Sequence, residues 1–297
     1  MIFIKKNDLS ELPKISIVTP SYNQAQFIEQ TILSVINQKY PNLEYIIIDG
    51  GSTDGTVDII RKYEEHLYYW VSEKDTGQAN AINKGFSKCT GDIVNWINSD
   101  DRLLPDALFS LVKTAKVAPD VGAWVGCCRI VDDKGRLLEL NVPRGLSIDK
   151  MIKWGFTGHF YQPACFLSRK ALEEFGPFDE TLYCCFDIDL YLKLVEKYEI
   201  FPVGKVWAEA IVHKEAKTQK QRKIMKEEIS LIQKRHGYID GDVREIAEDK
   251  IMYDFLNPVS LRILLIKIYK TGLRILYNIR LNLKRFRPIR RRYGLNI

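Results

Sequence analysis

Two carboxylates stand side by side in the string Asn98-Ser99-Asp100-Asp101, directly after the apolar run DIVNWI at 92–97. Adjacent carboxylates at the end of a buried strand repel each other unless a cation or hydrogen-bond donors compensate. The pair therefore suggests a hard divalent ion, Mg2+ or Mn2+, held through oxygen and completed by substrate phosphates. A solvated turn or a helix N-cap ahead of Pro105 accounts for the same residues. Asp49 ends a second run, YIIID, and is followed by Gly50 and Gly51. A carboxylate there can accept hydrogen bonds from a planar heterocycle while the glycines permit close approach. Ser52, Thr53 and Asp54 are good caps for the helix that follows, which leaves Asp49 free for that role. Neither GxGxxG nor GxxxxGK[ST] occurs here, so the segment is not a phosphate-binding glycine loop. Asp187 and Asp189 form a third group at the first turn of a predicted helix, where the helix dipole favours carboxylates and one can serve as a general base. His213 follows a strand and precedes Lys214 and Lys217; it can bind a diphosphate or a metal, although a lone histidine is more often structural.

The elements that must position these residues are legible as a rhythm. From Ile15 to Asp101, apolar runs at 15–19, 45–49, 67–71 and 92–97 alternate with helix-period stretches at 25–37, 54–65 and 77–88. That alternation predicts βαβ units on a parallel sheet. Ligands of an open α/β sheet sit beyond the carboxyl ends of its strands, and all the groups named so far from this half fall there. After Asp101 the pattern turns mixed. It predicts a helix from Pro105 to Val117, a hairpin of 122–132 and 136–140 about Asp133-Lys134-Gly135, and a helix at 147–154. A strand at 164–168, a short helix ending at Gly176, a helix over 186–198, a strand over 206–212 and a charged helix from Thr218 to His236 complete it.

The chain has 297 residues, 46% hydrophobic and 28% charged, which excludes disorder and collagen-like order and allows one large α/β domain or two smaller ones. No apolar run is long enough to span a bilayer, and the start, MIFIKKNDLSELPK, lacks a signal-peptide layout, so a cytosolic protein is expected. The six cysteines show no CxxC spacing and are expected as reduced thiols packed as small apolar groups. The net charge of +6 is uneven: Phe255 to Ile297 holds eleven of the 44 basic residues and none of the 38 acidic ones. The remaining body is thus mildly acidic and gives no reason to expect a nucleic-acid partner. In the tail, Leu261, Leu264, Leu265, Ile268, Ile275 and Leu276 fall on one side at helical period with Arg262, Lys267, Lys270 and Arg274 opposite. This is the pattern of a helix in a membrane interface, drawn to anionic lipid; a helix docked on its own domain shows the same periodicity.

Three strings, ISIVTPSYNQAQFIEQTILSVINQKYPNLEYIIIDGGSTDGT, SEKDTGQANAINKGFSKCTGDIVNWINSDD and FDETLYCCFDIDLYLKL, together resemble the family 2 inverting glycosyltransferases from about Ile15 to Thr218. The resemblance implies a Rossmann-like GT-A fold of class α/β, with a mostly parallel central sheet flanked by helices. It implies a catalytic domain over 1–236, with a nucleotide-binding half at 1–101 and an acceptor half at 102–236, then a helical extension over 237–297 with the basic tail at 258–292. The implied reaction moves a sugar from a nucleotide diphosphate sugar, with a UDP-sugar the expected donor, to an acceptor hydroxyl with inversion, assisted by Mn2+ or Mg2+. The expected acceptor is a glycan or glycolipid of the cell surface, reached from the cytoplasmic face of the membrane through the tail.

By the same resemblance Thr19, Pro20, Ser21 and Tyr22 line the nucleotide pocket, and Asp49 hydrogen-bonds the base. Asp75, Gly77 and Gln78 belong to the donor-contacting loop. Asn98, Ser99, Asp100 and Asp101 match the DxD region, with the metal on Asp101 or Asp100 and His213 among its ligands. Asp187 matches the catalytic base, and His213 and Lys217 match residues that close over the diphosphate. His159, Gln162 and Asp189 are acceptor-side candidates. The chain departs from the family pattern at Gly50 (usually a second aspartate), Ile82 (often an arginine, for which Lys74 or Lys84 can substitute), Asn98 (the first acid of DxD) and Phe186 (a glutamate). Two other functions fit parts of the pattern: a sugar nucleotidyltransferase, and a non-catalytic, membrane-bound sugar-nucleotide scaffold.

Overall fold

A computed structural model describes residues 12–154, 159–214 and 216–238, all within one compact unit spanning 1–242. Strands β1 (Ile15–Ser21), β2 (Leu43–Asp49), β3 (Tyr69–Ser72) and β4 (Ile93–Trp96) pair in parallel in the order β3-β2-β1-β4. Helices α1 (Ile28–Ile36), α2 (Thr56–Lys62) and α3 (Gln78–Phe86) connect them, as the alternation of runs predicts. Every residue of the central strand β1 is buried, which is why it reads as an apolar run rather than an alternation. Side chains nonetheless segregate by parity. Ile15, Ile17, Tyr45 and Ile47 join the core under α1, whereas Val18, Ile46 and Ile48 join the core under α3. The buried face of α1 is Ile28, Thr31, Ile32 and Val35, spaced as one side of a helix. On α3, Gly85 rests on β1 so closely that a Cβ would lie 2.4 Å from Val18 Cγ1, so only glycine allows this approach.

The second half contributes β5 (Arg102–Leu103), α4 (Ala107–Val117), β6 (Ala123–Asp132), β7 (Leu137–Asn141), α5 (Ile148–Met151), β8 (Cys165–Ser168), α6 (Arg169–Phe175), α7 (Phe186–Val195), β9 (Ile200–Val212), α8 (Lys217–Lys220) and α9 (Arg222–Arg235). The sheet continues from β4 as β8-β6-β9-β5, with β7 on β6, and only β6 and β9 run parallel here. The predicted hairpin forms β6 and β7, with Gly135 at φ 74° in its turn. Three features differ from the sequence reading. Strand β9 starts at Ile200 rather than Val206, because register shifts between Val125 and Cys128 on β6 accommodate Pro202 and Gly204. The charged helix is broken at Gln221 into α8 and α9. The pairing of β5 with Glu209 and Ala208 spans two residues, too short to leave a periodic signal.

All six cysteines are unpaired, five of them buried. Among the described residues no helix is long and apolar enough to cross a membrane. The amphipathic tail at 258–292 lies outside the described residues, as does the rest of the predicted extension beyond Tyr238.

Candidate active site

The carboxyl ends of β1 and β2 are knitted together by their own loops. Thr19 is buried, its hydroxyl 3.1 Å from the Tyr45 hydroxyl, and Pro20 and Ser21 complete the strand. Tyr22 is 61% exposed. Asn23, held at φ 52°, accepts from Thr53 N–H (2.9 Å), while its own N–H donates to Ser52 Oγ (2.7 Å). Asp49 is not free, contrary to the sequence reading. Its carboxylate accepts from Gly51 N–H (3.1 Å), Ser52 N–H (2.9 Å), Ser52 Oγ (2.5 Å) and Ser72 Oγ (2.6 Å), and the residue is fully buried. It braces the turn after β2 and the end of β3. Lys84 is likewise engaged, with its ammonium 2.7 Å from Glu73 Oε1, and Ile82 lies in the core.

At the end of β4 the four residues 98–101 take different roles. Thr31 on α1 donates to both Ser99 O and Asp101 O (2.8 Å each), which fixes the turn. Asp101 points inward. Burial, and then the charge of Asp100, push its carboxyl well above the usual carboxylate range, and it accepts from Asn98 Nδ2 (3.1 Å) and Ile211 N–H. Asp100 points the other way, with Oδ2 2.9 Å from His213 Nε2, and the His213 ring packs on Phe27 at 4.4 Å. His213 Nδ1 is buried without a hydrogen-bond partner among the described residues. Asn98 Oδ1 accepts from Gln78 Nε2 (2.8 Å), and Gln78 Oε1 accepts from the Lys217 ammonium (3.2 Å). Gly77, at φ 131°, turns the chain into α3 so that Gln78 reaches this chain of bonds. Lys217 also sits 4.0 Å over the Tyr183 ring, and burial lowers its pKa.

Asp187 stands in the first turn of α7 and is partly buried. Burial pushes its carboxyl up to about 6, against the opposing effects of backbone N–H groups and the nearby Lys217 charge. A carboxyl tuned close to neutrality in a cleft is suited to accept a proton. Glu228 on α9, a residue that no motif marks, accepts from Tyr183 N–H (2.5 Å), Cys184 N–H (2.8 Å) and Cys185 N–H (2.9 Å). It thereby caps the loop that leads into the helix carrying Asp187, placing negative charge ahead of that helix's N-terminus.

The three acceptor-side candidates are not brought to one place with Asp187. Asp189, two residues on, turns into a buried ion cluster with Lys193 (2.6 Å), Arg235 (3.8 Å) and His236 (3.9 Å), because positions i and i+2 of a helix face apart. His159 is buried with Nδ1 3.3 Å from Arg144 O, packs on Trp154, and is held below its usual pKa by burial. Gln162 does reach the site: it donates to Trp96 O (2.7 Å) and Asn95 Oδ1 (3.2 Å), and accepts from Asn98 at 3.5 Å.

Among the described residues no three His, Cys, Asp or Glu side chains converge as a cage for a metal. Asp100 nevertheless suits a magnesium- or manganese-type ion, which is commonly bound by one or two carboxylates with the rest filled by phosphate and water, and the His213 nitrogen beside it suits manganese better than magnesium. Asp101 is buried and already accepts from Asn98 and Ile211.

Comparison with known proteins places this arrangement. The profile of glycosyl transferase family 2 matches residues 16–176, more than half of the chain. The chain belongs to that family. A Bacillus subtilis (strain 168) protein assigned to teichuronic acid biosynthesis as the glycosyltransferase TuaG is 33% identical over 145 residues, covering 48% of this chain and 58% of that relative. The chain thus spans under two thirds of that relative's length. Two solved structures share the fold. One is S. aureus TarS 1–349 in complex with UDP-GlcNAc, with TM-score 0.57, 19% identity, and 82% of this chain and 72% of that chain covered. The other is the mannosyltransferase PcManGT from Pyrobaculum calidifontis in complex with GDP-Man and Mn2+, with TM-score 0.57, 21% identity, and 95% and 84% covered. The fold is therefore GT-A, with a parallel first half and a mixed second half.

Proposed function

We propose that this chain transfers a sugar from a nucleoside diphosphate sugar to a hydroxyl of a cell-surface glycan or its lipid-linked precursor, with inversion at the anomeric carbon. The observation that carries the reading is the continuous link from the base helix to the end of β4. Lys217 faces Asp187 electrostatically and is hydrogen-bonded through Gln78 to Asn98, beside the Asp100–His213 pair. In this reading Asp187 takes the acceptor proton as the hydroxyl attacks. The charge growing on the departing diphosphate is met by Lys217. A divalent ion held by Asp100 and His213 supplies Lewis-acid stabilisation of the same leaving group when bound. Base and leaving group on opposite sides of one carbon give inversion in a single displacement.

The nucleotide complexes of the two fold neighbours and the Mn2+ in one of them support a nucleoside diphosphate donor and a divalent ion. The teichuronic acid assignment of the relative supports a polysaccharide product. We take UDP-sugars as the first donors to test, 1–236 as the catalytic part, and 237–297 as the extension that brings it to an anionic cytoplasmic membrane surface. Calorimetric titration of UDP, GDP, dTDP and CMP, with and without manganese, tests the reading. Metal-dependent binding of one diphosphate, lost in Asp100→Ala, is expected. No binding of any nucleotide in either condition would leave a scaffold without activity.

A further inference from the structure

The second half of the sheet carries a row of charge that the proposed reaction leaves unused. Glu209 on β9 is the direct cross-strand partner of both Arg102 on β5 and Arg129 on β6. Trp124 and Cys128 of β6, Ala208 and Ala210 of β9 and Leu103 of β5 pack in the core under α1, so by the two-residue period of a strand the three charged residues face the other way. On that side Ala123 and Val125 of β6 join the core that includes Ile188 and Leu190 of α7, the helix of Asp187. His213 follows Glu209 at the same parity, four residues on, about 13 Å at the rise of a strand. We infer that Arg102 and Arg129, gathered on Glu209, form a subsite for an oxyanion of the acceptor, away from the hydroxyl that receives the sugar. The oxyanion is the carboxylate of an acidic sugar or the phosphate of a lipid-linked glycan.

The row has both the charge and the donors for this. Glu209 Oε1 lies 3.6 Å from a guanidinium nitrogen of Arg102, and Oε2 lies 3.5 Å from one of Arg129. These are ion-pair contacts beyond hydrogen-bond range. Neither guanidinium hydrogen-bonds to any other of the described residues, so both donor forks are open to a ligand. The two side chains are 30% and 39% exposed, whereas that of Glu209 is 11% exposed. One arginine neutralises one carboxylate, and the second leaves a surplus of positive charge. The next strand does not offset it: Leu140 on β7 stands opposite Arg129, and Glu139 stands opposite Ile130 on the other face. A guanidinium fork matches two oxygens of a carboxylate or phosphate. Because Glu209 holds the two arginines from a central strand, they stand side by side before a ligand arrives, which lowers the ordering cost of binding. The acceptor then runs along the face of β9 from the Asp100–His213 pair to the arginines, and its anion sets the register in which a hydroxyl meets Asp187.

The inference rests on the proposed transfer to a glycan and deepens it by giving the acceptor a charge. The test is calorimetric titration of the full chain, saturated with manganese and the nucleoside diphosphate it binds, against two anionic probes and their neutral counterparts. One pair is a tetrasaccharide of alternating glucuronic acid and N-acetylglucosamine with its carboxyl-reduced form; the other is octyl glucosyl phosphate with octyl glucoside. At least one anionic probe is expected to bind ~10- to 100-fold more tightly than its counterpart, the range for hydrogen bonds to a charged group. The pair with the larger ratio tells an acidic sugar from a lipid phosphate as the source. In Arg102→Gln/Arg129→Gln that ratio should fall to about 1. Arg129→Lys keeps the charge beside Glu209 but loses the fork, so it should lower the ratio part of the way. Nucleotide titration and melting curves show whether donor site and fold are intact in each variant. If wild type binds a nucleotide but holds anionic and neutral probes equally, or if the folded double variant keeps the full preference, the row is an ion cluster of the sheet only and the proposed function stands. If folded wild type binds no nucleotide, the proposed function fails and takes this inference with it.

Discussion

The ends of β2 and β4 carry the same chemistry in sequence and use it in opposite ways. At β2, Asp49 is spent on its own backbone and on two serines, so the strand end becomes a rigid floor. At β4 the work is divided: Asp101 does the bracing, and Asp100 is left to face His213. A carboxylate at a strand end is thus available to a ligand only where a neighbour has taken over the internal hydrogen bonds. Asp187 obeys the same rule, since Glu228 rather than Asp187 satisfies the N–H groups of residues 183–185.

Removing a group that faces the ligand should be costly to activity and cheap in stability. Asp187→Asn is expected to lower transfer by ~10²- to 10⁴-fold, the range for a general base, with nucleotide binding by calorimetry unchanged; full activity would remove Asp187 from the mechanism. Its stability should move the other way. The folded pKa of Asp187, about 6, lies above the ordinary 3.8. Its stabilising contribution is therefore present below pH 3.8 and lost as pH rises through 6. Above pH 6 the asparagine variant should unfold at higher urea than wild type, by on the order of 1–3 kcal/mol.

Removing a bracing group should do the reverse. Asp49→Ala leaves two N–H groups and two serine hydroxyls without their acceptor and is expected to cost on the order of 3 kcal/mol in urea unfolding. Asp100→Ala should cost under ~1 kcal/mol in the same assay. Equal losses in the two would erase the distinction between floor and ligand face. A finer test is the pH profile of transfer, which should rise through about pH 6 in wild type. In Glu228→Gln the loss of a nearby negative charge should move that rise to lower pH. An unmoved profile would show Glu228 to be structural only. The smallest effect belongs to Lys84→Ala, which breaks an ion pair with the exposed Glu73 and should shift unfolding by less than ~1 kcal/mol with donor binding intact.

What the sequence made visible follows from the range of the interactions. The parallel half was readable because β1, β2 and β4 are buried runs, mostly apolar, that lead into polar loops. The ion pair of Asp189 with Lys193 is equally local, four residues apart on a helix, yet the sequence reading places Asp189 on the acceptor side without it. Asp100 and Asp101 are one residue apart on a turn, and only the position of Thr31 and His213 tells which faces out. Asp49 is braced by Ser72 from a strand 23 residues away, and Glu228 caps the loop ahead of α7 from 43 residues beyond Cys185. Contacts of that span leave no periodic trace.

The span of the Glu228 cap also bears on how this chain can be cut and recombined. The segment the family profile matches ends at residue 176, before both Asp187 and Glu228. A chimera joined at that border would inherit the end of β2 from one parent and α7 from the other. If a second junction were then placed between α7 and α9, three amide groups at 183–185 would lose their acceptor. Helices α7 and α9 are therefore one inheritable cassette, separated in the sequence but indivisible as a part.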